Sequence, residues 1–182
     1  MLKLKLETVP IPLKQNDEVQ IVAASSQIID ETSLNEGINI LNQWGLKCSS
    51  CNAIGRNWGY LAGDDETRFK ELHPLHHSPL LAFARGGWGA ARLLERVQPW
   101  RQGWLLGYSD VSSILISRLS KGFYGGIHGP LVTSLSSEPE WSQERLKSLL
   151  FGDSIPDLIG DPWIGGVAKG PLVVANLTVI TH

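Results

Sequence analysis

Short apolar runs alternate with amphipathic segments along this chain, and the alternation predicts its elements. Residues 19–24, Val-Gln-Ile-Val-Ala-Ala, form a first apolar run and read as a buried strand. Over 32–44 the apolar residues Leu34, Ile38, Leu41 and Trp44 are spaced four, three and three, which is one face of a helix, and Gly45 stops it. Leu46-Lys47-Cys48 begins a second strand. Residues 64–72 read as a helix with Asp64, Asp65 and Glu66 in the first turn, where the helix dipole favours acids, and His73-Pro74 ends it. A third strand is expected at 79–84, a helix at 90–97, a fourth strand at 104–106 and a helix at 111–119. A short strand and turn follow at 125–130, and a helix at 140–150. Strand alternating with helix predicts an α/β domain with a largely parallel sheet over residues 1–151, opened by an extended lead-in containing Pro10 and Pro12. Residues 152–171, rich in Gly, Pro and Asp, read as a linker. The β-prone run within 172–182 reads as the first strand of a further domain.

The bulk numbers narrow the class. A chain of 182 residues with 42% hydrophobic residues can bury a good-sized core. The net charge of −2 and the absence of a basic run argue against nucleic acid as a partner. Met1-Leu2-Lys3-Leu4-Lys5-Leu6 lacks the apolar region of a signal peptide, and no apolar stretch reaches membrane-spanning length, so a cytoplasmic protein without a membrane partner is expected. The two cysteines stand as Cys48-x-x-Cys51, but loop-like residues follow where a redox motif would begin a helix, and no second pair completes a zinc site.

The chemistry gathers where strands end. An apolar run stops at Gly107, Ser109 follows, and a helix begins. A serine at a sharp strand-to-helix turn is the geometry of a nucleophile elbow, although Val111 stands where Gly-x-Ser-x-Gly has its second glycine, and a plain helix cap is the other reading. The third strand runs into Arg85-Gly86-Gly87-Trp88-Gly89, whose glycines let the backbone approach a ligand and whose N–H groups can cradle an anion. In an open parallel sheet both turns face the crevice outside the carboxyl ends of the strands, one offering a nucleophile and the other an oxyanion-hole donor. Ser25 and Ser26, after the first strand, either cap the next segment or face that crevice. His73, His76 and His77 read as a surface turn. His128 reads as a structural hydrogen-bonding residue or part of the crevice wall. Gly87-x-Gly89-x-x-Arg92 lacks the third glycine of a dinucleotide fingerprint.

These residues resemble a known family. Arg85 to Leu94 is similar to its Arg-Gly-Gly-aromatic-Gly loop, and Gly107 to Ser112 to its Gly-Tyr-Ser-Asp-hydrophobic-Ser/Thr elbow. Tyr60 to Arg68 and His128-Gly129-Pro130 match in order and spacing. The family is the LD-carboxypeptidases, serine peptidases that include murein tetrapeptide carboxypeptidases and microcin C self-immunity peptidases, and the resemblance runs from about residue 10 to 181. It implies a flavodoxin-like domain with helices on both faces of the sheet, followed by a smaller β-rich domain. It also implies Ser109 as nucleophile, the N–H groups of Gly87 and Asp110 as oxyanion hole, and Arg85, Gly86 and Trp88 as substrate contacts. The substrate would be a muropeptide losing a terminal D-alanine, with no cofactor and no metal, in a homodimer. Ala24 departs from the family's proline, and Val174-Ala175-Asn176 from its Gly-Gly-Asn. The family's triad histidine and glutamate lie downstream of Asn176-Leu177-Thr178, so they are expected beyond His182, and the 182 residues alone are expected to show little activity. A non-catalytic binding module of the same fold and a nucleotide-binding domain are the competing readings.

Overall fold

The computed structural model describes residues 9–170 and 172–181. Five strands, Glu18–Val22 (β1), Lys47–Cys48 (β2), Leu80–Phe83 (β3), Trp104–Gly107 (β4) and Gly126–His128 (β5), form one sheet in the order β2-β1-β3-β4-β5. Every neighbouring pair is parallel. This is the flavodoxin-like order, and its switch point lies between β1 and β3.

The central strands β1, β3 and β4 are buried on both sides, so their side chains divide between two cores. Val19, Ile21, Ala82 and Leu106 pack to one side, under helices Glu31–Gln43 (α1), Val132–Leu135 (α5) and Glu140–Phe151 (α6). Val22, Phe83 and Leu105 pack to the other, under Asp65–Leu72 (α2), Ala90–Leu93 (α3) and Ser112–Ser120 (α4). α1 starts where Asp30 accepts the Ser33 N–H, and α2 where Asp64 accepts the Thr67 N–H. α1 and α5 meet at Gly37, where a Cβ would lie 1.9 Å from the Val132 carbonyl oxygen. The lead-in is pinned by Leu13 N–H to Leu150 O (2.8 Å) and by Trp104 Nε1–H to Ile11 O (3.1 Å).

Two expectations need correction. The helix expected over 90–97 keeps its α form only to Leu93, because the next N–H groups bond three residues back, Glu95 to Arg92 and Arg96 to Leu93, and tighten into turns. In place of a strand over 172–180, residues 172–176 have no regular structure and Leu177–Ile180 (α7) is one helical turn. A strand needs a neighbour to take its backbone hydrogen bonds. Here Asn176 instead accepts the Val179 N–H and its own N–H donates to Ser112 Oγ (3.2 Å), which sets α7 against α4. Residues 153–170 have no helix or strand and are almost wholly exposed. Among the described residues no helix is long and apolar enough to cross a membrane.

Candidate active site

The site begins with the backbone after β4. Tyr108 is extended, and Ser109 then takes φ 63°, a left-handed conformation uncommon for a residue with a side chain. A 3-10 turn, Ser109–Val111, leads into α4. The turn has the left-handed strand-to-helix geometry that an elbow requires, and no side chain caps either the 3-10 turn or α4. The departure at Val111 has a packing reason. Val111 is buried over Gly107, where a Cβ would lie 2.9 Å from Val111 Cγ1 and 3.2 Å from Phe83 Cβ. The close approach that two glycines usually share is made here by Gly107 alone.

The neighbouring strand brings the glycine loop against this turn. A Cβ on Gly86 would lie 3.2 Å from Ser109 Cβ and 3.3 Å from the Tyr108 carbonyl oxygen, so the loop backbone rests on the serine. Gly87 has φ 112°, and a Cβ there would strike Ser26 Oγ at 2.3 Å. Ser26 belongs to this wall: its hydroxyl accepts the Trp88 N–H (3.1 Å) and its N–H donates to Gly86 O (3.3 Å). Asp110, 5% exposed, joins the two turns, since its Oδ2 accepts the Ala90 N–H at 2.8 Å. Burial pushes the Asp110 carboxyl above its ordinary value, while the Ala90 N–H, the Ser25 hydroxyl and the Arg68 charge pull it back. Among the described residues neither the Gly87 N–H nor the Asp110 N–H has an acceptor.

Sequence reasoning did not single out Arg68 as a site residue. Wholly buried, it donates from Nη1 to Ala24 O (2.6 Å) and Gly89 O (2.8 Å), and from Nε to Gly63 O (3.2 Å). Its Nη2 pairs with Asp65, which also holds Arg92 at 2.8 Å. One guanidinium thus fixes the end of β1, the loop before α2 and the end of the glycine loop. The available signal was an arginine on the buried face of a short helix.

A cleft of about 390 Å³ opens beside Ser109, lined by Arg85, Gly86, Gly87 and Tyr108 and by residues before α1 and in α5. Arg85 is held by the Gln27 carbonyl (3.0 Å). Trp88 is 67% exposed and does not line this cleft. Asp30, the acidic residue that does, is occupied by the Ser33 hydroxyl and N–H, which lower its pKa. Ile28, Leu131 and Thr133 also line it and were not anticipated, because α5 is a single turn without a readable period. No histidine lines the cleft among the described residues. His128 ends β5 with its ring 6.1 Å from that of Tyr108, and burial lowers its pKa. His73, His76 and His77 lie together at another cavity, at the amino ends of β3 and β4. Cys48 and Cys51 are half-buried free thiols, that of Cys48 pushed up by burial to about 11. Among the described residues no three His, Cys, Asp or Glu side chains gather as a metal site would require.

The chain is similar to known proteins in sequence and fold. The family model for the LD-carboxypeptidase N-terminal domain matches residues 19–129. The chain is 39% identical over 180 residues to a protein of Synechocystis sp. assigned as a carboxypeptidase, covering 95% of this chain and 59% of that one. It is 26% identical over 191 residues to a Bacillus subtilis protein assigned as a murein peptide carboxypeptidase, covering 94% and 58%. Among solved structures, an MccF-like protein from Bacillus anthracis superposes with a TM-score of 0.70 at 19% identity, over 79% of this chain and 47% of that one. The muramoyltetrapeptide carboxypeptidase of Oxalobacter formigenes superposes with a TM-score of 0.61 at 17% identity, over 72% and 47%. The chain therefore spans under three fifths of the length of these relatives. With a parallel sheet in flavodoxin-like order, an elbow at Ser109 and a family match across all five strands, the chain belongs to the LD-carboxypeptidase family.

Proposed function

We propose that this chain supplies the nucleophile half of a serine LD-carboxypeptidase that removes a terminal D-alanine from murein tetrapeptide. The observation that carries the reading is Ser109 at φ 63°, seated on Gly86 at the ends of two adjacent strands beside an open cleft. Ser109 Oγ attacks the carbonyl carbon of the bond between the L-centre and D-alanine. The Gly87 and Asp110 N–H groups take the resulting oxyanion, each donor being worth about 3 kcal/mol in the transition state. The C–N bond breaks, D-alanine leaves as the amine, and water hydrolyses the acyl ester on Ser109. Arg85, which lines the cleft with Gly86, holds the substrate's terminal carboxylate in this reading. Trp88 contacts the substrate from outside the cleft.

Ser109 needs a base, and no histidine lines its cleft among the described residues. The proposed histidine and glutamate of the triad therefore come from sequence following the Asn176-Leu177-Thr178 segment in a protein of the relatives' length. The whole enzyme is proposed to act in the cytoplasm as a homodimer.

The test is D-alanine release from murein tetrapeptide. Activity is expected from the protein at its relatives' full length, abolished by Ser109→Ala, and the 182 residues alone should be slower by several orders of magnitude. Full activity of Ser109→Ala would overturn the reading. Cleavage of an aminoacyl sulfamoyl nucleoside with no action on tetrapeptide would move the assignment to the self-immunity branch, for which an MccF complex with glutamyl sulfamoyl guanosine is known.

A further inference from the structure

The cavity at the amino ends of β3 and β4 has a volume of about 330 Å³ and lies at the opposite end of the sheet from Ser109. Phe69, Leu72, Leu81 and Trp104 make its lining largely apolar. Arg118, from α4, is also part of the wall and is only 3% exposed. Its Nη2 donates to the carbonyls of Arg101 (2.8 Å) and Gly103 (3.1 Å), both at the cavity. Its Nη1 is buried and has no partner among the described residues, and the same holds for the indole N–H of Trp100 in the same wall.

A buried guanidinium is ordinarily paired with a carboxylate, because desolvating an unpaired charge is strongly unfavourable. Glu66 is the carboxylate at this cavity among the described residues, and it is already taken by Lys70 (3.3 Å) and Arg96 (2.6 Å). Lys70 and Arg101 add positive charge to the lining. Burial without a counter-charge pulls Arg118 down to about 10. Among the described residues Arg118 thus lacks an anion, and its side chain forms part of the cavity wall.

We propose that this cavity binds an apolar monocarboxylate, its carboxylate held by Arg118 and the Trp100 indole N–H and its body packed on the apolar lining. Two unpaired donors match the two oxygens of one carboxylate. A phosphate would bring more acceptors than the wall has free donors, into apolar surroundings that disfavour a dianion. The site is independent of the Ser109 chemistry.

Benzoate is the probe, with benzamide as its neutral isostere and inorganic phosphate as an anion without an apolar body, each followed by calorimetry and by the melting temperature of the chain. Benzoate is expected to bind saturably at one site and raise the melting temperature, with benzamide and phosphate weaker by about tenfold or more, the factor that one charge-assisted hydrogen bond supplies. Arg118→Met keeps the stem and removes the charge. It also leaves the Arg101 and Gly103 carbonyls without their donor, so it should melt lower than wild type without ligand, and the folded variant should bind benzoate about tenfold or more weakly. Trp100→Phe, which keeps a ring against His73, should also weaken benzoate, and it serves if Arg118→Met does not fold. Ser109→Ala should bind benzoate as wild type does. Equal binding of benzamide, tighter binding of phosphate, unchanged binding by Arg118→Met or Trp100→Phe, loss of binding in Ser109→Ala, or no saturable binding at all would each overturn the proposal.

Discussion

At Ser109 the backbone takes a left-handed conformation that disfavours any side chain. Glycine accepts it freely, so Ser109→Gly should stabilise the fold while removing the proposed nucleophile. The left-handed conformation costs a residue with a side chain about 1–2 kcal/mol, and glycine returns about 0.5–1 kcal/mol of that through its freer unfolded chain. A gain of up to about 1 kcal/mol in urea unfolding is therefore expected; a loss of stability would show the turn to be unstrained. Asp110 separates charge from hydrogen bonding. Its pKa is raised on folding by burial, so its protonated form stabilises the fold below about 3.8, and that contribution is lost as pH rises through the folded value. Asp110→Asn keeps an acceptor for the Ala90 N–H without the charge and should match or exceed wild-type stability at pH 7. Asp110→Ala leaves that N–H unpaired in the interior and should cost about 1–3 kcal/mol, measured by the same unfolding experiment.

Among the elements, the tightest contact is the crossing of α1 and α5. Alanine in place of a mid-helix glycine is ordinarily stabilising by up to about 1 kcal/mol. At Gly37 the sign should reverse, because the new methyl would lie 1.9 Å from a backbone oxygen that cannot swing aside. Gly37→Ala should destabilise by about 1–3 kcal/mol in denaturant unfolding, whereas an unchanged midpoint would mean that α5 floats on α1. This contact also marks where the sequence was legible. Strands β1, β3 and β4 carry apolar runs and the longer helices a 3.6-residue period, and these could be placed from the pattern. α5 could not, since four residues hold no period and its position is set by α1. The run at 172–180 misled because Val, Leu, Ile and Thr favour strands only where another strand is present to pair with them. In the site, Ser109 and the glycine loop were readable because a turn chemistry names its residues. Ser26 was read only as a cap or a crevice residue and Arg68 not at all, because their roles arise from carbonyls and N–H groups that meet only after folding.

For the molecule as a whole, acid should act in two stages. His73, packed between Phe69 and Trp100 with ring centroids at 4.7 and 5.0 Å, and His128 both have pKa values lowered by burial. Each favours folding while neutral, so their contribution is present above about 6.5 and lost as pH falls through the folded values. The caps Asp30 and Asp64 are lowered by the N–H and hydroxyl groups they accept from, so theirs is present above about 3.8 and lost as pH falls further. Urea midpoints between pH 7.5 and 5 should decline in wild type and decline less in His73→Phe; parallel profiles would remove His73 from the first stage. The strand order bears on kinetics as well. Val19 pairs with Leu80, and among the described residues no two strands of the sheet are joined by a hairpin, so the sheet has no local nucleus. β1 must wait, unpaired on one side, until β3 has been made and brought back across α1, β2 and α2. Refolding should accordingly be slow for a chain of this size and yield should fall with protein concentration, because the waiting strand edge is open to another molecule.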